Sequence, residues 1–300
     1  MKEICCIGHI TTDRIITPAS TTIMPGGTAY YFAHGMQHLN NGKGFKLITC
    51  VTEDQMDAVT ELREKGMDVE VIPTETPVFF ENKYGENSNN RTQRLLSKAE
   101  RFHIKDLREV NADIIHLGSL LADDFSLELC KFLSRRSILS VDAQGYLRDV
   151  DGENIVSIDW KDKAEFLKYI AILKVNEFEI LSLTGHSDPS KAALQLAEMG
   201  VKESVITLGS YGSIIYDRKH IYEVPAFPTD NIVDATGCGD TFSTGYLYQR
   251  ALGAEIGDAA LFAAAMSTIK LQHSGPFNGT IEDIQKLIQQ SNLKVNKYSL

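Results

Sequence analysis

A chain of 300 residues, 43% apolar and 23% charged, lies within globular norms: it can fill a sizeable core, and its composition is not that of a disordered segment. The formal charge of −10 at pH 7 argues against general affinity for nucleic acid or for an anionic membrane surface. An anionic small substrate stays open, because a pocket can be locally positive on an acidic protein.

The first residues, MKEICCIGHI, place one Lys before a short apolar run and then Thr-Thr-Asp, a pattern unlike a signal peptide. No run approaches the roughly 18 apolar residues that span a bilayer. The five cysteines are Cys5, Cys6, Cys50, Cys130 and Cys238. The count is odd and no Cys-x-x-Cys occurs, so free thiols in the cytoplasm are expected, with neither a disulfide framework nor a zinc knuckle.

In chain order, residues 4–8 and 46–51 form the first strand-like runs, dense in Ile, Val, Leu and Cys. Thr52-Glu53-Asp54-Gln55 has the form of a capping box opening a helix to about Lys65. Further strands are expected at 113–117, 138–141, 171–175 and 203–208, with few charges, as in strands buried on both faces of a largely parallel sheet. Asp188-Pro189 supplies an N-cap and an N1 proline for a helix ending near Gly200. The last third reads as three helices, about 239–252, 256–272 and 280–291. Two stretches break the alternation: 13–24 and 69–97 read as short antiparallel strands separated by turn residues. Together they suggest a small β-sheet projecting from the body, either a surface hairpin or a lid over a site. The chain is read as one α/β domain spanning 1–300.

The strongest chemical signal is Asp234-Ala235-Thr236-Gly237-Cys238-Gly239-Asp240-Thr241-Phe242, followed at once by an amphipathic helical pattern. Glycine allows a tight turn and close approach to a ligand. The amides of Gly237, Cys238 and Gly239 would then point outward at a helix N-terminus, where unpaired N–H groups and the dipole favour an anion. Asp240, a carboxylate beside an anion cradle, makes sense as an acceptor for the proton of a hydroxyl approaching a phosphate. A bare Gly-x-Gly-Asp would be an ordinary capped loop. The string is no Rossmann fingerprint, since Phe242 stands where the third glycine belongs, and the chain holds no P-loop.

As a whole, the string resembles the C-terminal signature of ribokinase-like (PfkB) carbohydrate kinases, Asp-Thr-x-Gly-Ala-Gly-Asp, with Ala235 and Cys238 as small replacements. The resemblance implies a three-layer α/β/α fold with a mostly parallel central sheet and a β-sheet lid. It implies ATP-dependent phosphoryl transfer with Mg²⁺, the 237–240 amides as anion hole, Asp240 as base, and Asp234 beside a monovalent-cation (K⁺) site. Cys238 is then a small loop residue rather than a nucleophile. Other landmarks follow in order. Gly8–Asp13 leads into the lid, with Asp13 implied to bind substrate hydroxyls, and Gly26-Gly27 matches the family diglycine on which substrate packs. Asn176-Glu177-Phe178-Glu179 resembles the Asn-x-x-Glu segment that arranges Mg²⁺ and the phosphates, with Glu179 the metal-side carboxylate. Thr207-Leu208-Gly209-Ser210-Tyr211-Gly212 resembles the nucleotide-binding Thr-x-Gly-x-x-Gly turn, although by spacing it is a hairpin turn. The Ala-rich stretch 259–269 would flank adenine or be a tightly packed core helix.

The acceptor is where the chain departs from the family. Tyr31 stands five residues after Gly26, where many members carry an Asn against a furanose hydroxyl, so ribose- and fructose-type substrates are disfavoured. Val141-Asp142-Ala143-Gln144 with Arg148 resembles the Val-Asp-x-Gln-x4-Arg pattern of myo-inositol kinase-like members, as does the acidic turn and short strand that follow (149–159). Gln144 and Arg148 are thus candidates for polyol or phosphate contacts, and inositol or a similar cyclic polyol is the expected small-molecule partner. A nucleoside kinase of the same fold, with a base stacked on Tyr30, Tyr31, Phe79 or Phe80, is the alternative enzyme. A non-catalytic regulator of the same fold is the alternative of another class, opposed by the intact Asp240. The resemblance also implies a homodimer through the lid, using exposed edges in 69–97.

Overall fold

The structure, a computed structural model, describes residues 1–85 and 91–299. Residues 86–90 of the expected lid segment lie outside the described residues.

Seven strands run parallel: β1 (Ile4–Gly8), β4 (Phe45–Val51), β5 (Asp68–Pro73), β8 (Ile114–Gly118), β9 (Ile138–Asp142), β12 (Ile172–Asn176) and β13 (Glu203–Thr207). Three more continue that sheet antiparallel, β14 (Ser213–Tyr216), β15 (His220–Val224) and β16 (Asn296–Ser299), giving the order β16-β15-β14-β13-β12-β9-β8-β1-β4-β5. The apolar runs divide their side chains between two cores with the strand's period of two. Ile4 and Cys6 of β1 face one core and Cys5 and Ile7 the other. The first core is closed by α1 (Thr28–Asn40), α2 (Met56–Glu64), α7 (Cys238–Leu252), α8 (Ile256–Leu271) and α9 (Ile281–Ser291). The second is closed by α3 (Leu127–Ser134), α4 (Lys163–Phe166), α5 (Glu177–Thr184) and α6 (Pro189–Glu198). The expected α/β/α layering is what the residues build.

Local signals act as read. Thr52 and Gln55 close their capping box around a single 3₁₀ turn before α2, and Asp188 accepts from the Lys191 amide at 2.9 Å to start α6. The Ala-rich face of α8 is core: Ala259, Ala260, Ala263, Ala264 and Ala265 are all buried.

A second sheet, in the order β10-β11-β7-β6-β2-β3, forms the lid from β2 (Thr11–Ile16), β3 (Thr21–Gly26), β6 (Val78–Tyr84), β7 (Arg91–Ser97), β10 (Arg148–Asp151) and β11 (Asn154–Ser157). Val78, Phe80 and Leu95 pack with Leu120, Leu121, Val150 and Ile155 beneath it. Two expectations need correction. Residues 69–73 belong to β5, the edge of the main sheet, and not to the lid; their alternation of buried and exposed residues reflects an edge strand covered on one face. The outer strands of the lid are β3 and β10, since β6 pairs with β2 and β7, and β7 meets β11 at Asn154–Arg94; within 69–97 the free edge is therefore that of β5 in the main sheet, not one of the lid. The hairpin β10–β11, expected only as a turn and a short strand, completes the lid and is tied to it where Arg94 pairs with Glu81 (3.0 Å) and Glu153.

Candidate active site

The site lies where β1, β9, β12 and β13 end, at the carboxyl edge of the parallel sheet, where α/β folds present their ligand-binding loops. Gly237 takes φ +75 as the N-cap of α7, a left-handed conformation that a side chain would strain. A Cβ there would also lie 2.2 Å from the Tyr31 ring, so the glycine is demanded twice. The first i→i−4 bond of the helix is Thr241 N to Gly237 O at 2.9 Å. Gly239 and Asp240 therefore hold their amides in the unpaired first turn. The Cys238 amide donates to Ala235 O at 3.2 Å, which leaves it less to offer an anion than the cradle reading supposed. Burial pushes the Cys238 thiol up to about 11, with Lys270 opposing, so this thiol is not poised as a nucleophile.

Asp240 keeps part of its surface exposed although protein atoms crowd it from most sides. Its carboxyl is pushed up to about 6, by desolvation first and then by the like charge of Asp142. Lys174, a hydrogen bond from the Thr28 hydroxyl and Arg148 pull the other way.

Register explains the charges around it. β9 and β12 pair with Asp142 beside Lys174, and their side chains form an ion pair of 3.0 Å, both buried. The Lys174 ammonium lies under the anion loop, 2.8 Å from where a Cβ on Gly239 would sit. Burial works against its charge, but Asp142, Glu179 and Asp240 outweigh burial and hold the ammonium firmly protonated. Sequence reasoning missed Lys174, Asp142 and Thr28 as site residues. The one available signal was a lysine inside an otherwise apolar strand.

Beside the diglycine, Asp13 accepts from the Thr11 hydroxyl at 2.7 Å and lies against Gly26, where a Cβ would come 2.4 Å from Oδ2. Gly27, at φ +87, passes so close to His9 O (2.5 Å from an ideal Cβ) that no side chain fits. Tyr31 is buried under the anion loop. Burial raises its phenol well above the ordinary range, with Asp234, Asp13 and Asp240 adding, so these three carboxylates converge on one ring. Gln144 is half-buried and donates its backbone N–H to Asp142 Oδ1 at 3.0 Å. Arg148, half-buried at the start of β10, acts electrostatically on Asp240 and Glu179 from the lid side.

At the end of β12, Asn176 N-caps α5, accepting from the Phe178 and Glu179 amides at 2.9 Å, while Glu179 accepts from the Asn176 backbone (2.8 Å) and side chain (2.8 Å). Glu179 is buried and its carboxyl is raised, by burial first and by Asp142, against Lys174 and the Asn176 amide. Thr207 ends β13 opposite Asn176 and donates to Val175 O at 3.3 Å. Gly209 (φ +55) and Gly212 (φ +93) shape the turn from β13 into the antiparallel β14, so this segment is a hairpin turn as its spacing indicated, placed beside α5 with Gly209 next to Glu177. Among the described residues no three His, Cys, Asp or Glu side chains gather into a metal cage. One carboxylate, Glu179, with the Asn176 amide beside it still suits Mg²⁺, which keeps most of its waters and leans on substrate phosphates. Asp234 sits apart at the start of the loop, paired with Lys270 at 3.3 Å. No helix among the described residues is long and apolar enough to cross a membrane.

Comparison with known proteins agrees with this geometry. The chain is 24% identical over 302 residues to a nucleoside kinase of Methanocaldococcus jannaschii, covering 92% of each chain. It is 27% identical over 258 residues to a cytidine kinase of Thermococcus kodakarensis, covering 82% of this chain and 88% of the relative. A solved pyrophosphate-dependent kinase of the ribokinase family, in complex with a pyrophosphate analogue and myo-inositol, superposes with a TM-score of 0.81 at 27% identity over 94% of this chain and 99% of that one. Ribokinase of Arabidopsis thaliana, complexed with ribose and ATP, shares the fold with a TM-score of 0.77 over 96% of this chain and 99% of its own, at 19% identity. Residues 1–283 match the model of the pfkB family carbohydrate kinases. With the glycine loop and the ribokinase-like fold in place, the chain belongs to that family and is a phosphotransferase, a sugar or nucleoside kinase of ribokinase type.

Proposed function

We propose that this kinase phosphorylates a hydroxyl of a small cyclic polyol, myo-inositol first, using ATP. In this reading the acceptor hydroxyl passes its proton to Asp240 as the new O–P bond forms and the bond to the leaving phosphate breaks. The amides at the start of α7 receive the migrating group, and positioning and charge stabilisation supply most of the rate. The observation that carries the reading is Asp240 itself. A carboxylate brought to about 6, partly exposed in the first turn of α7, has the proton affinity of a general base working near neutral pH.

Asp13, Gln144 and Arg148 are the acceptor-side polar groups, and Tyr31 fills the space beneath the anion loop. The similarity to the myo-inositol complex supports the polyol over furanose sugars and nucleosides. Asn176, Thr207, Gly209 and Gly212 border the donor, and Glu179 with Asn176 would hold Mg²⁺, which supplies charge neutralisation at the phosphates. The side chains of Phe178 and Tyr211, on the donor segments, and of Ile232 and Val233, just before the 234–240 string, are exposed, as a bed for a nucleobase would require. That observation favours ATP. The three solved pyrophosphate-dependent structures favour inorganic pyrophosphate, and so do the extra cations Lys174 and Arg148 around the phosphate end. We place the enzyme in the cytoplasm, where its five free thiols would stay reduced, and pairing of two copies through the lid would use the β3 or β10 edge.

A matrix of donors (ATP, pyrophosphate) against acceptors (myo-inositol, hexoses, pentoses, nucleosides) tests the reading. The highest kcat/KM is expected for ATP with myo-inositol. A nucleoside preferred over every polyol would replace the acceptor, pyrophosphate outperforming ATP would replace the donor, and binding without turnover of any pair would leave a regulator.

A further inference from the structure

The loop bearing Asp234–Asp240 is anchored from behind by the last turns of α8. Ser267 Oγ donates to Cys238 O (3.1 Å), and Leu271 O accepts from the amides of Val233 (2.9 Å) and Asp234 (3.2 Å). Between them Lys270 is wholly buried. Its Nζ donates to Asp234 O at 2.8 Å and to His273 O at 3.3 Å, and lies 3.3 Å from Asp234 Oδ2. The carboxylate is held in turn by the Thr236 amide on Oδ1 (2.9 Å) and the Gly275 amide on Oδ2 (3.4 Å).

Two carbonyls and one carboxylate converging on a point are the donor set of a hard monovalent cation, which binds oxygen. Here that point carries the ammonium of the chain's own lysine. A free K⁺ beside Asp234, the expectation from the family resemblance, does not fit, because the oxygens it would share are already turned to Lys270. The burial is costly in isolation. Lysine is almost never fully buried unless paired, and an apolar residue would continue the Ala-rich face of α8 without that cost.

We propose that Lys270 is a tethered replacement for a monovalent cation behind the anion loop, so that this kinase works without K⁺. The inference rests on the reading that the 237–240 turn receives the phosphoryl group. The ammonium holds the Asp234 carbonyl and carboxylate on the rear of the loop. With the peptide oxygens drawn backward, the amides at the start of α7 face the cleft. The charge also cancels Asp234, which otherwise would oppose an incoming polyphosphate. Lysine suits this duty as a compact charge on a flexible stem.

The test uses the full chain in KCl, NaCl and choline chloride at equal ionic strength, read by thermal melting and by turnover of whichever donor–acceptor pair is active. Wild type is expected to melt at the same temperature in all three salts, with turnover varying by less than about twofold. Lys270→Ala opens a space lined by the same oxygens. It is expected to lose roughly 10²-fold in kcat, to regain most of it with K⁺ or methylammonium, and to melt about 2–4 °C higher in KCl than in choline. Wild type stimulated several-fold by K⁺ overturns the proposal, as does a folded Lys270→Ala that behaves identically in KCl and choline. If Lys270→Ala fails to fold without salt, refolding by K⁺ or methylammonium but not by choline supports the proposal, and refolding by none refutes it. The melting arm needs no substrate, so it decides on Lys270 even if the assigned acceptor is wrong.

Discussion

Replacing Asp240, the proposed base, should make the protein more stable while slowing its chemistry, and the gain should depend on pH. Asp240 titrates near 3.8 in the unfolded chain and near 6 in the folded one. Between those values the native state binds more proton than the unfolded state, so stability falls as pH rises through that window, and the full penalty is present above about 6. At about 1.36 kcal/mol per pH unit the gap of about two units sets a ceiling of ~3 kcal/mol. Water in the cleft screens part of it, leaving ~1–3 kcal/mol. Asp240→Asn keeps the shape and an acceptor for the Thr28 hydroxyl but carries no charge, so it removes this cost. Thermal melting of both proteins across pH 4 to 8 should show little difference at the acid end and a gain of roughly 2–6 °C for the variant at pH 7. Turnover should drop by about 10²–10⁴, the usual worth of a general base, with donor affinity preserved in a binding titration. A stability gain that ignores pH would mean that the carboxylate is not destabilised by its site. Wild-type turnover in the variant would remove Asp240 from the reaction.

The neighbouring residues give further expectations. Gly237→Ala meets both a φ of +75 and the Tyr31 ring, and should cost kcat about 10²–10³ as the anion loop is displaced, checked by steady-state rates alongside a folded far-UV spectrum. For wild type, kcat/KM should fall as pH drops through about 6, when Asp240 protonates. Lys174→Met removes the cation that favours the ionised base and frees the charge of Asp142, so that midpoint should move up by roughly 1–3 pH units, whereas a purely structural lysine would leave the midpoint in place. Saturating acceptor should slow amide exchange in β2, β3, β6 and the β10–β11 hairpin, and unchanged exchange there would show that these strands do not close over substrate.

What could be read in advance follows a physical division. Runs such as ICCIG and the glycine string 234–242 announce themselves because their constraints are local: burial on both faces, or a backbone that no side chain tolerates. Lys174 and Lys270 stay hidden because their meaning is non-local. In sequence one is a polar residue in a strand and the other the last charged group of an Ala-rich helix. Asp142 comes beside Lys174 only through the β9–β12 register, and the Asp234 carbonyl meets Lys270 only when the loop folds back on α8. The assignment of 69–73 to the lid failed for a related reason. One-sided burial gives the same alternation at the edge of a parallel sheet as in a lid hairpin, and only the pairing with β4 tells them apart. The polar edge strand β16 is not legible in advance because Asn296–Ser299 is specified by partners, here Tyr298 donating to Glu223 at 2.7 Å, more than by apolar pattern.

The same non-local groups resolve how a chain with a formal charge of −10 can hold a polyanion. A mobile cation would have to be recruited, and a general basic surface would draw in every anion. This site instead fixes its positive charge in place. Lys174 lies under the loop and Lys270 behind it, with Arg148 acting from the lid side and the N-terminus of α7 at the centre. Each of the two lysines is matched to a carboxylate, Asp142 or Asp234, so neither stands as excess charge. The field then comes from orientation rather than from excess. Amides and ammonium groups are aimed before the substrate arrives, so little reorganisation is left for the moment of transfer, and preorganisation of that kind is where most of the rate of a phosphotransferase originates.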